Sequence, residues 1–255
     1  MLIDRKIVIG LGIGLSILAT TAFADDQPSV LNGVVSGNIG AVTKYIYRGG
    51  VENDDIALQG GLTYTHNSGV CVGYWGSTLD YDPKGRDHGS EHDFSIGFAN
   101  TINDDWSYSS QIMAYVYQNG GNTYNDDRTE KRSTTGYDLV NDISYKDLSL
   151  GLTVSLADAD YGNAGDVYLS AAYSYALPYE FSLNTSVGAS IYNDGRDDSI
   201  VQTAHDFTMN EVRLGLSKPL LDTGIEMSLD YIWGGRDRYD EKLDDHLVYG
   251  VTYSF

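Results

Sequence analysis

The chain of 255 residues carries 36 acidic and 16 basic side chains, a formal net charge of −20 at pH 7. A chain this acidic lacks the positive surface that neutralises phosphates, which excludes nucleic acid as a partner. Cys71 is its single cysteine, so an intrachain disulfide is excluded as well, and we expect this thiol to be a small buried residue.

The first 24 residues are predicted to be a secretion signal that is cleaved. Arg5 and Lys6 give a positive start, 7–18 is an apolar run, and Ala22-Phe23-Ala24 supplies the small residues of a cleavage site. The run is shorter than the ~20 apolar residues that a transmembrane helix needs. The predicted mature domain is therefore residues 25–255, exported from the cytoplasm.

Twelve segments of the mature chain alternate apolar with polar or small side chains over about ten residues, the length of a tilted membrane strand. In 224–234, for example, one face carries Ile225, Met227, Leu229, Tyr231 and Trp233. The predicted strands are 34–48, 54–66, 69–80, 91–102, 105–118, 136–146, 148–157, 166–177, 180–192, 207–218, 224–234 and 245–255.

The connections between these segments alternate in length. Short turns are expected near 67–68, 103–104, 146–147, 178–179 and 219–223. Longer charged loops are expected at 49–53, 81–90, 119–135, 158–165, 193–206 and 235–244. A half-buried sheet of a soluble protein also alternates, but short turns at one end and long loops at the other are typical of bacterial outer-membrane barrels. We therefore predict an all-β fold, a transmembrane antiparallel up-and-down β-barrel of twelve strands with both termini in the periplasm.

Aromatic residues are predicted to mark both ends of the barrel wall, because amphipathic rings favour the membrane interface. Those expected near the short turns are Trp106, Tyr108, Tyr145, Phe181 and Tyr253, and those near the loops are Tyr45, Tyr47, Tyr231 and Trp233. The last strand ends in an aromatic residue and resembles the signal that the barrel-assembly machinery reads. The candidate residues of this insertion signal are Tyr249, Val251, Tyr253 and Phe255.

A further resemblance is carried by five stretches within 34–100. They are Tyr45-Ile46-Tyr47-Arg48-Gly49-Gly50, Leu58-Gln59-Gly60-Gly61-Leu62-Thr63-Tyr64, His66-Asn67-Ser68-Gly69, Gly73-Tyr74-Trp75-Gly76-Ser77 and Glu91-His92-Asp93-Phe94. In these stretches the chain resembles the TorF-type porin family, whose members are otherwise described as conserved hypothetical outer-membrane proteins. It departs from the family pattern at Val51, where Ser or Thr is common, and at Cys71, where an aromatic residue is common. The resemblance implies a porin-like barrel and little about mechanism.

Charged residues opposite the apolar faces are predicted to point into the barrel, since a basic side chain at mid-depth in hydrocarbon costs ~2–4 kcal/mol. The candidate pore-lining residues are Lys44, Arg48, Gln59, Asp93, Gln111, Asp138, Asp142, Glu211, Arg213, Glu226 and Asp230. They either line an aqueous path that filters charged solutes or form a salt-bridge network that fills a narrow barrel. In the first case the excess of acid favours cations.

An enzyme is also considered, because outer-membrane phospholipases are twelve-stranded barrels too. Such an enzyme needs a serine activated by a histidine. The stretch His88-Gly89-Ser90-Glu91-His92 has both residue types but lacks the His-x-Ser-Asn-Gly run of those lipases. Asp87, His88, Glu91 and His92 could also bind a metal ion, although loop residues of this kind are usually only solvated. We predict no catalytic residue, no metal and no cofactor.

The favoured function is passive diffusion of small hydrophilic solutes through a porin-like channel. The alternatives are a non-conducting barrel that displays loops such as 119–135 for adhesion or binding, and, more distantly, a lipid hydrolase. Expected partners are outer-membrane lipid, lipopolysaccharide, the barrel-assembly machinery and the solutes. Acidic pairs that could bridge divalent ions to lipopolysaccharide are Asp54 with Asp55, Asp126 with Asp127, Asp197 with Asp198, and Asp244 with Asp245.

Overall fold

A computed structural model describes residues 32–195 and 199–255 of the chain. The predicted secretion signal, residues 1–24, lies outside these ranges, and so do Asp197 and Asp198 of the loop after the ninth predicted strand. Within the described ranges, no helix has the length and apolarity needed to cross a bilayer.

Sixteen strands and one 3-10 helix, Pro178–Glu180, form the secondary structure of the described ranges. The strands are β1 Gly33–Val42, β2 Tyr45–Tyr47, β3 Gly50–Asn53, β4 Ala57–His66, β5 Val70–Leu79, β6 Gly89–Asn103, β7 Trp106–Tyr117, β8 Asn122–Tyr124, β9 Lys131–Ser133, β10 Gly136–Tyr145, β11 Leu148–Ser155, β12 Val167–Ala176, β13 Ser182–Ile191, β14 Phe207–Pro219, β15 Ile225–Gly234 and β16 His246–Ser254. Twelve of them, all except β2, β3, β8 and β9, form one closed barrel.

The barrel closes where β1 pairs antiparallel with β16. In this pair Asn38 lies opposite Ser254 and Val42 lies opposite Gly250. The backbones of Gly37 and Phe255 extend the pairing with hydrogen bonds of 2.9 and 3.0 Å. Every barrel strand thus has two hydrogen-bonded neighbours, which lipid demands of a spanning sheet because it offers no partner to a free edge. The predicted twelve-stranded antiparallel barrel is confirmed.

The eleven predicted strands after the first begin and end within three residues of the observed ones. Short turns join the strands at one end of the barrel, called here the turn end, and longer loops join them at the other, the loop end. Two loops contain a small hairpin of their own, β2 with β3 and β8 with β9. The first and last described residues both lie at the turn end. There Gly33 pairs with His66 in the sheet, and the Ser254 backbone N–H donates a hydrogen bond to the carbonyl oxygen of Gly224.

The prediction for the first strand, 34–48, is wrong at its C-terminal end. β1 ends at Val42, and the following residues belong to β2 and β3, which pair only with each other. Arg48 and Gly49 have φ angles of 50° and 81° and reverse the chain between these two short strands. The Tyr45-Ile46-Tyr47 alternation that suggested one continuous strand is therefore the alternation of β2.

The barrel strands expose large apolar side chains on their outer faces. Leu216, Leu229 and Tyr249 lie side by side on β14, β15 and β16 and are 39, 46 and 43% exposed. Residues one position away face the interior, because successive side chains of a strand point to opposite sides. Asp230, for example, follows Leu229 and lies opposite Gly215 and Val248.

Aromatic pairs lie on the outer wall at both ends. Trp106 and Tyr145 meet at the turn end with ring centroids 4.6 Å apart, and Tyr231 and Trp233 meet at the loop end at 4.7 Å. Tyr45 and Tyr47, which were expected beside the latter pair, are not part of the outer wall. The chain leaves the wall after Val42, so both rings belong to the hairpin of β2 and β3.

The loops at the loop end are bonded to one another through two buried arginines. Arg132, in the loop 118–135, donates hydrogen bonds to the carbonyl oxygen of Gly162 at 3.0 Å and to the hydroxyl of Ser199 at 2.6 Å. Arg238, in the loop 235–245, forms an ion pair of 2.8 Å with Asp166. The long loop predicted at 119–135 is thus fixed against its neighbouring loops.

The two faces of β15 give a direct test of this fold. Leu229→Arg places a charge at mid-height on the outer face, and we expect it to lower the free energy of unfolding by ~2–4 kcal/mol. Ser228→Arg points inward between Ser217 and Gly250, and we expect a change below ~1 kcal/mol. Urea unfolding of the lipid-reconstituted protein measures both, and equal losses would contradict the assigned faces.

Candidate functional site

Nine of the eleven candidate pore-lining residues lie on inward faces of barrel strands. The registers show this, because residues directly opposite each other in an antiparallel pair point to the same side. The nine are Gln59, Asp93, Gln111, Asp138, Asp142, Glu211, Arg213, Glu226 and Asp230. That they line a conducting path stays a prediction.

The acidic residues of the barrel strands all lie on one side of the sheet. All seven face the interior, namely Glu91, Asp93, Asp138, Asp142, Glu211, Glu226 and Asp230. The strands contain two Arg or Lys residues: Arg213 faces inward, and Lys218 lies at the turn end with its ammonium group 4.8 Å from the ring centre of Phe181. Such sorting is expected where one side of the sheet meets hydrocarbon and the other does not.

The other two candidates, Lys44 and Arg48, are not on a barrel strand, contrary to the prediction. Both lie in the segment between β1 and β4, which contains the hairpin Tyr45–Asn53, called here the inner hairpin. Lys44 forms an ion pair with Asp54 beside the base of the hairpin, with 32% of its side chain exposed. Arg48 lies at the hairpin tip and nevertheless reaches inward-facing residues.

Arg48 contacts the opposite part of the barrel wall. Its guanidinium lies 3.4 Å from the Asp138 carboxylate of β10 and 4.5 Å from the ring centre of Tyr168 on β12. On the hairpin itself, the Tyr47 ring lies 4.7 Å from the same guanidinium. One cation is therefore held by a carboxylate and two aromatic rings, an arrangement that favours a positive charge over a neutral group.

Further contacts fix the inner hairpin inside the barrel. Arg213 of β14 donates a hydrogen bond of 3.0 Å to the carbonyl oxygen of Ile46. The Ile46 side chain is 5% exposed and packs in one cluster with Ile232 and Val248, which face inward from β15 and β16. At Gly49 a side chain would come within 2.5 Å of the carbonyl oxygen of Asn210, so the tip lies directly against β14.

A second inward ion pair lies beside these contacts. Arg213 approaches Glu211 to 2.9 Å, and the Tyr168 hydroxyl donates a hydrogen bond of 3.0 Å to the same carboxylate. Small residues make room for these side chains. A Cβ atom at Gly188 would overlap the Tyr168 hydroxyl, and one at Gly215 would overlap the Asp230 carboxylate.

The inner hairpin also places a carboxylate, Glu52, near the barrel wall. Burial raises the pKa of Glu52, the Tyr81 hydroxyl opposes this rise by donating a hydrogen bond of 2.6 Å, and the negative charge of Asp80 adds to it. Glu52 therefore holds a proton at higher pH than an exposed glutamate does.

Sequence reasoning missed two parts of this site. It did not include Glu91 among the inward residues, although Glu91 has the same parity on β6 as Asp93 and so faces inward. It also missed Tyr168, whose ring contacts Arg48 and whose hydroxyl binds Glu211. The parity of β6 was readable in the sequence, whereas the contact of Tyr168 with a distant hairpin was not.

Ser90 and His92 lie on the outer face of β6 near the loop end. His92 Nε2 is 2.9 Å from the Ser90 hydroxyl, and His92 Nδ1 is 2.9 Å from the Tyr74 hydroxyl. The sequence did not predict that these residues would be joined. In a Ser-His-Asp triad a carboxylate stabilises the imidazolium, and here a phenol occupies that position, while the Ser90 hydroxyl also donates to Gln118 Oε1 at 3.1 Å.

The four residues considered as metal ligands do not converge. Glu91 faces inward and His92 faces outward on β6, and Asp87 and His88 precede the strand. Across residues 32–195 and 199–255, no group of three His, Cys, Asp or Glu residues is placed to hold a metal ion. Cys71, on β5, is a free thiol and is buried, as expected.

The last strand has the predicted alternation. Tyr249, Tyr253 and Phe255 are 43, 43 and 53% exposed on the outer face, and Val251 lies on the same side. The rings of Tyr253 and Phe255 stack with centroids 5.9 Å apart. Whether this strand is read as an insertion signal stays a prediction.

Solved structures with a similar architecture include two described as porins. The KdgM porin superposes with a TM-score of 0.51 over 86% of this chain and 99% of that chain, at 9% identity. The NanC porin covers 86% of this chain and 98% of its own at 11% identity (TM-score 0.46), and OpdL of Pseudomonas aeruginosa covers 87% and 67% at 13% identity (TM-score 0.43). At its identity the KdgM match shows the fold alone, which is that of a porin-type β-barrel.

The chain belongs to the family described as bacterial protein of unknown function (Gcw_chp), whose model matches residues 29–243. No curated protein matches the sequence. The finer resemblance of residues 34–100 to TorF-type porins stays a prediction.

Removal of the Arg48 side chain tests whether the inner hairpin is anchored by its tip. We expect Arg48→Ala to lower the free energy of unfolding by about 1–3 kcal/mol, because the buried Asp138 carboxylate loses its cation. Lys44→Ala removes the exposed pair with Asp54, and we expect a loss below about 1 kcal/mol. Urea unfolding in lipid compares the two variants, and an equal loss would contradict the anchoring.

Proposed function

We propose that the protein is a channel of the bacterial outer membrane through which small hydrophilic solutes diffuse. The sorting of charge supports this proposal most directly, since seven carboxylates and Arg213 face the interior of a closed barrel whose outer face is apolar. A polar interior is what an aqueous path requires. The inner hairpin narrows that path near the loop end, so the channel selects among solutes.

The ends of the chain support delivery to the outer membrane. Residues 1–24 have the sequence of a secretion signal, and β16 ends in exposed aromatic residues suited to recognition by the barrel-assembly machinery. In this proposal the turn end faces the periplasm and the loop end faces outward, among lipopolysaccharide.

Display of the loops is a second candidate function. It is favoured by the bonding of the loops through Arg132 and Arg238, which gives the loop end a fixed outer surface. In this case the barrel would be a non-conducting support. Trimming residues 119–135 would then abolish binding to surface ligands, whereas in a channel it would alter the access of solutes.

We infer that the protein is not a hydrolase. Ser90 and His92 are hydrogen-bonded on the outer face, but the third member of the chain is Tyr74 and the Ser90 hydroxyl is shared with Gln118. Phospholipid turnover by the purified protein that disappears in Ser90→Ala would overturn this inference.

Planar-bilayer recording tests the channel directly. We expect discrete conductance steps with a preference for cations over anions, because seven carboxylates face two guanidinium groups inside the barrel. Glu226→Gln combined with Asp230→Asn removes two of these charges and should lower the cation preference, which a reversal potential in a salt gradient measures. Arg48→Ala should raise the conductance of each step.

Two results of the bilayer recording would contradict parts of this proposal. A bilayer that stays silent with correctly inserted protein would contradict the channel and favour the loop-displaying barrel. Steps without any cation preference would keep the channel but contradict the role given to the inward carboxylates.

A further inference from the structure

Two inward carboxylates on β6, Glu91 and Asp93, have no cationic partner within residues 32–195 and 199–255. Their side chains are 4% and 5% exposed, and no ion pair in the described part of the chain involves either of them. Asp138 and Glu211, by contrast, are paired with Arg48 and Arg213. The carboxylates inside the barrel are therefore of two kinds, paired and unpaired.

Three buried oxygen atoms on this face of β6 have no hydrogen-bond partner among the residues that the structure describes. They are Oε2 of Glu91, Oδ1 of Asp93 and the hydroxyl oxygen of Ser95, whose side chain is also buried. The Tyr45 and Tyr117 hydroxyls donate hydrogen bonds to the Glu91 carboxylate, and that of Tyr117 reaches its other oxygen at 3.2 Å. Buried polar atoms are nearly always paired in folded proteins, so this row of acceptors suits a ligand that donates hydrogen bonds and carries positive charge.

Aromatic rings surround the two carboxylates. Trp75 and Tyr115 lie directly opposite Asp93 on the neighbouring strands, and Tyr117 lies opposite Glu91. Tyr45 of the inner hairpin meets the Trp75 ring edge-on, with centroids 5.6 Å apart. Aromatic faces attract organic cations such as ammonium and guanidinium groups, whereas Ca²⁺ and Mg²⁺ take six or more oxygen ligands.

The chain itself shows that this interior can hold a guanidinium group. Arg48 lies between the rings of Tyr47 and Tyr168 and beside the Asp138 carboxylate. Glu91 and Asp93 repeat the same combination of carboxylate and ring, and no arginine in the described part of the chain pairs with them.

We propose that Glu91 and Asp93, together with the Trp75 and Tyr115 rings, bind the ammonium or guanidinium group of a small organic cation as it passes through the barrel. This rests on the proposed channel function and names its solute class. Tyr45 of the inner hairpin borders the site through its contact with the Trp75 ring. Arg48 and the solute then interact with neighbouring parts of one acidic surface.

Isothermal titration calorimetry of the full chain in detergent micelles tests the site, with methylguanidinium as the probe and neutral N-methylurea as its matched control. We expect methylguanidinium to bind at pH 7 and N-methylurea to give no heat. Glu91→Gln with Asp93→Asn should weaken binding about tenfold or more, because the charge-assisted hydrogen bonds are lost. Trp75→Leu should weaken binding while both carboxylates remain.

Asp142→Asn with Glu226→Gln is the matched control variant, since it removes the same charge from inward positions nearer the turn end. We expect it to keep the wild-type affinity for methylguanidinium. An equal loss in both double variants, binding of N-methylurea, or binding of Mg²⁺ in place of methylguanidinium would overturn the site. A difference in gel mobility between heated and unheated samples confirms that each variant is folded.

Calorimetry does not depend on conduction, so the two proposals fail separately. Conductance steps without methylguanidinium binding would overturn the cation site and leave the channel. Methylguanidinium binding in a protein that forms no steps would overturn the channel and leave the site as that of a binding barrel.

Discussion

Closure of the sheet between β1 and β16 is the contact on which the rest of the structure depends. In hydrocarbon each unpaired backbone group costs several kcal/mol, and a ring of strands leaves none at an edge. Once the ring is closed, successive side chains of each strand point alternately to the outside and to the interior of the barrel. The apolar set meets the surroundings of the barrel, and every carboxylate of the barrel strands is turned inward.

Inside the closed ring, the inner hairpin decides how the interior is filled. It spans from β1 to the opposite wall, where Arg48 reaches Asp138 and the Ile46 carbonyl oxygen accepts a hydrogen bond from Arg213. Gln111 and Glu211 are 2% exposed, whereas Asp142 and Asp230, nearer the turn end, remain partly exposed. The interior is therefore more tightly filled beside the inner hairpin than at Asp142 and Asp230.

The barrel could be predicted from the sequence because its strands are defined locally. In β15 the apolar face and the polar face are both readable from consecutive residues, and the short and long connections gave the topology. The inner hairpin could not be predicted in the same way. Tyr45-Ile46-Tyr47 has the pattern of a strand whether it lies in the wall or inside it, and its position depends on contacts with residues 90 to 167 positions away.

The same limit applied to the candidate site. The inward side chains of the barrel strands followed from alternation, so Gln59, Asp142 and Glu226 were placed on the correct side. The positions of the Arg48 and Arg213 guanidinium groups decide which inward carboxylates form an ion pair. That is a property of the folded interior and not of any single segment.

The position of the inner hairpin is tested most directly by a disulfide between it and the barrel wall. In a Cys71→Ala background, Ile46→Cys with Ile232→Cys should form an intrachain disulfide on mild oxidation, because both side chains belong to one buried cluster. Tyr45→Cys with Ile232→Cys is the control and should form none, since the Tyr45 side chain points to Trp75 on β5. Gel mobility and peptide mass would detect the bond. A disulfide in both pairs, or in neither, would contradict a hairpin fixed inside the barrel.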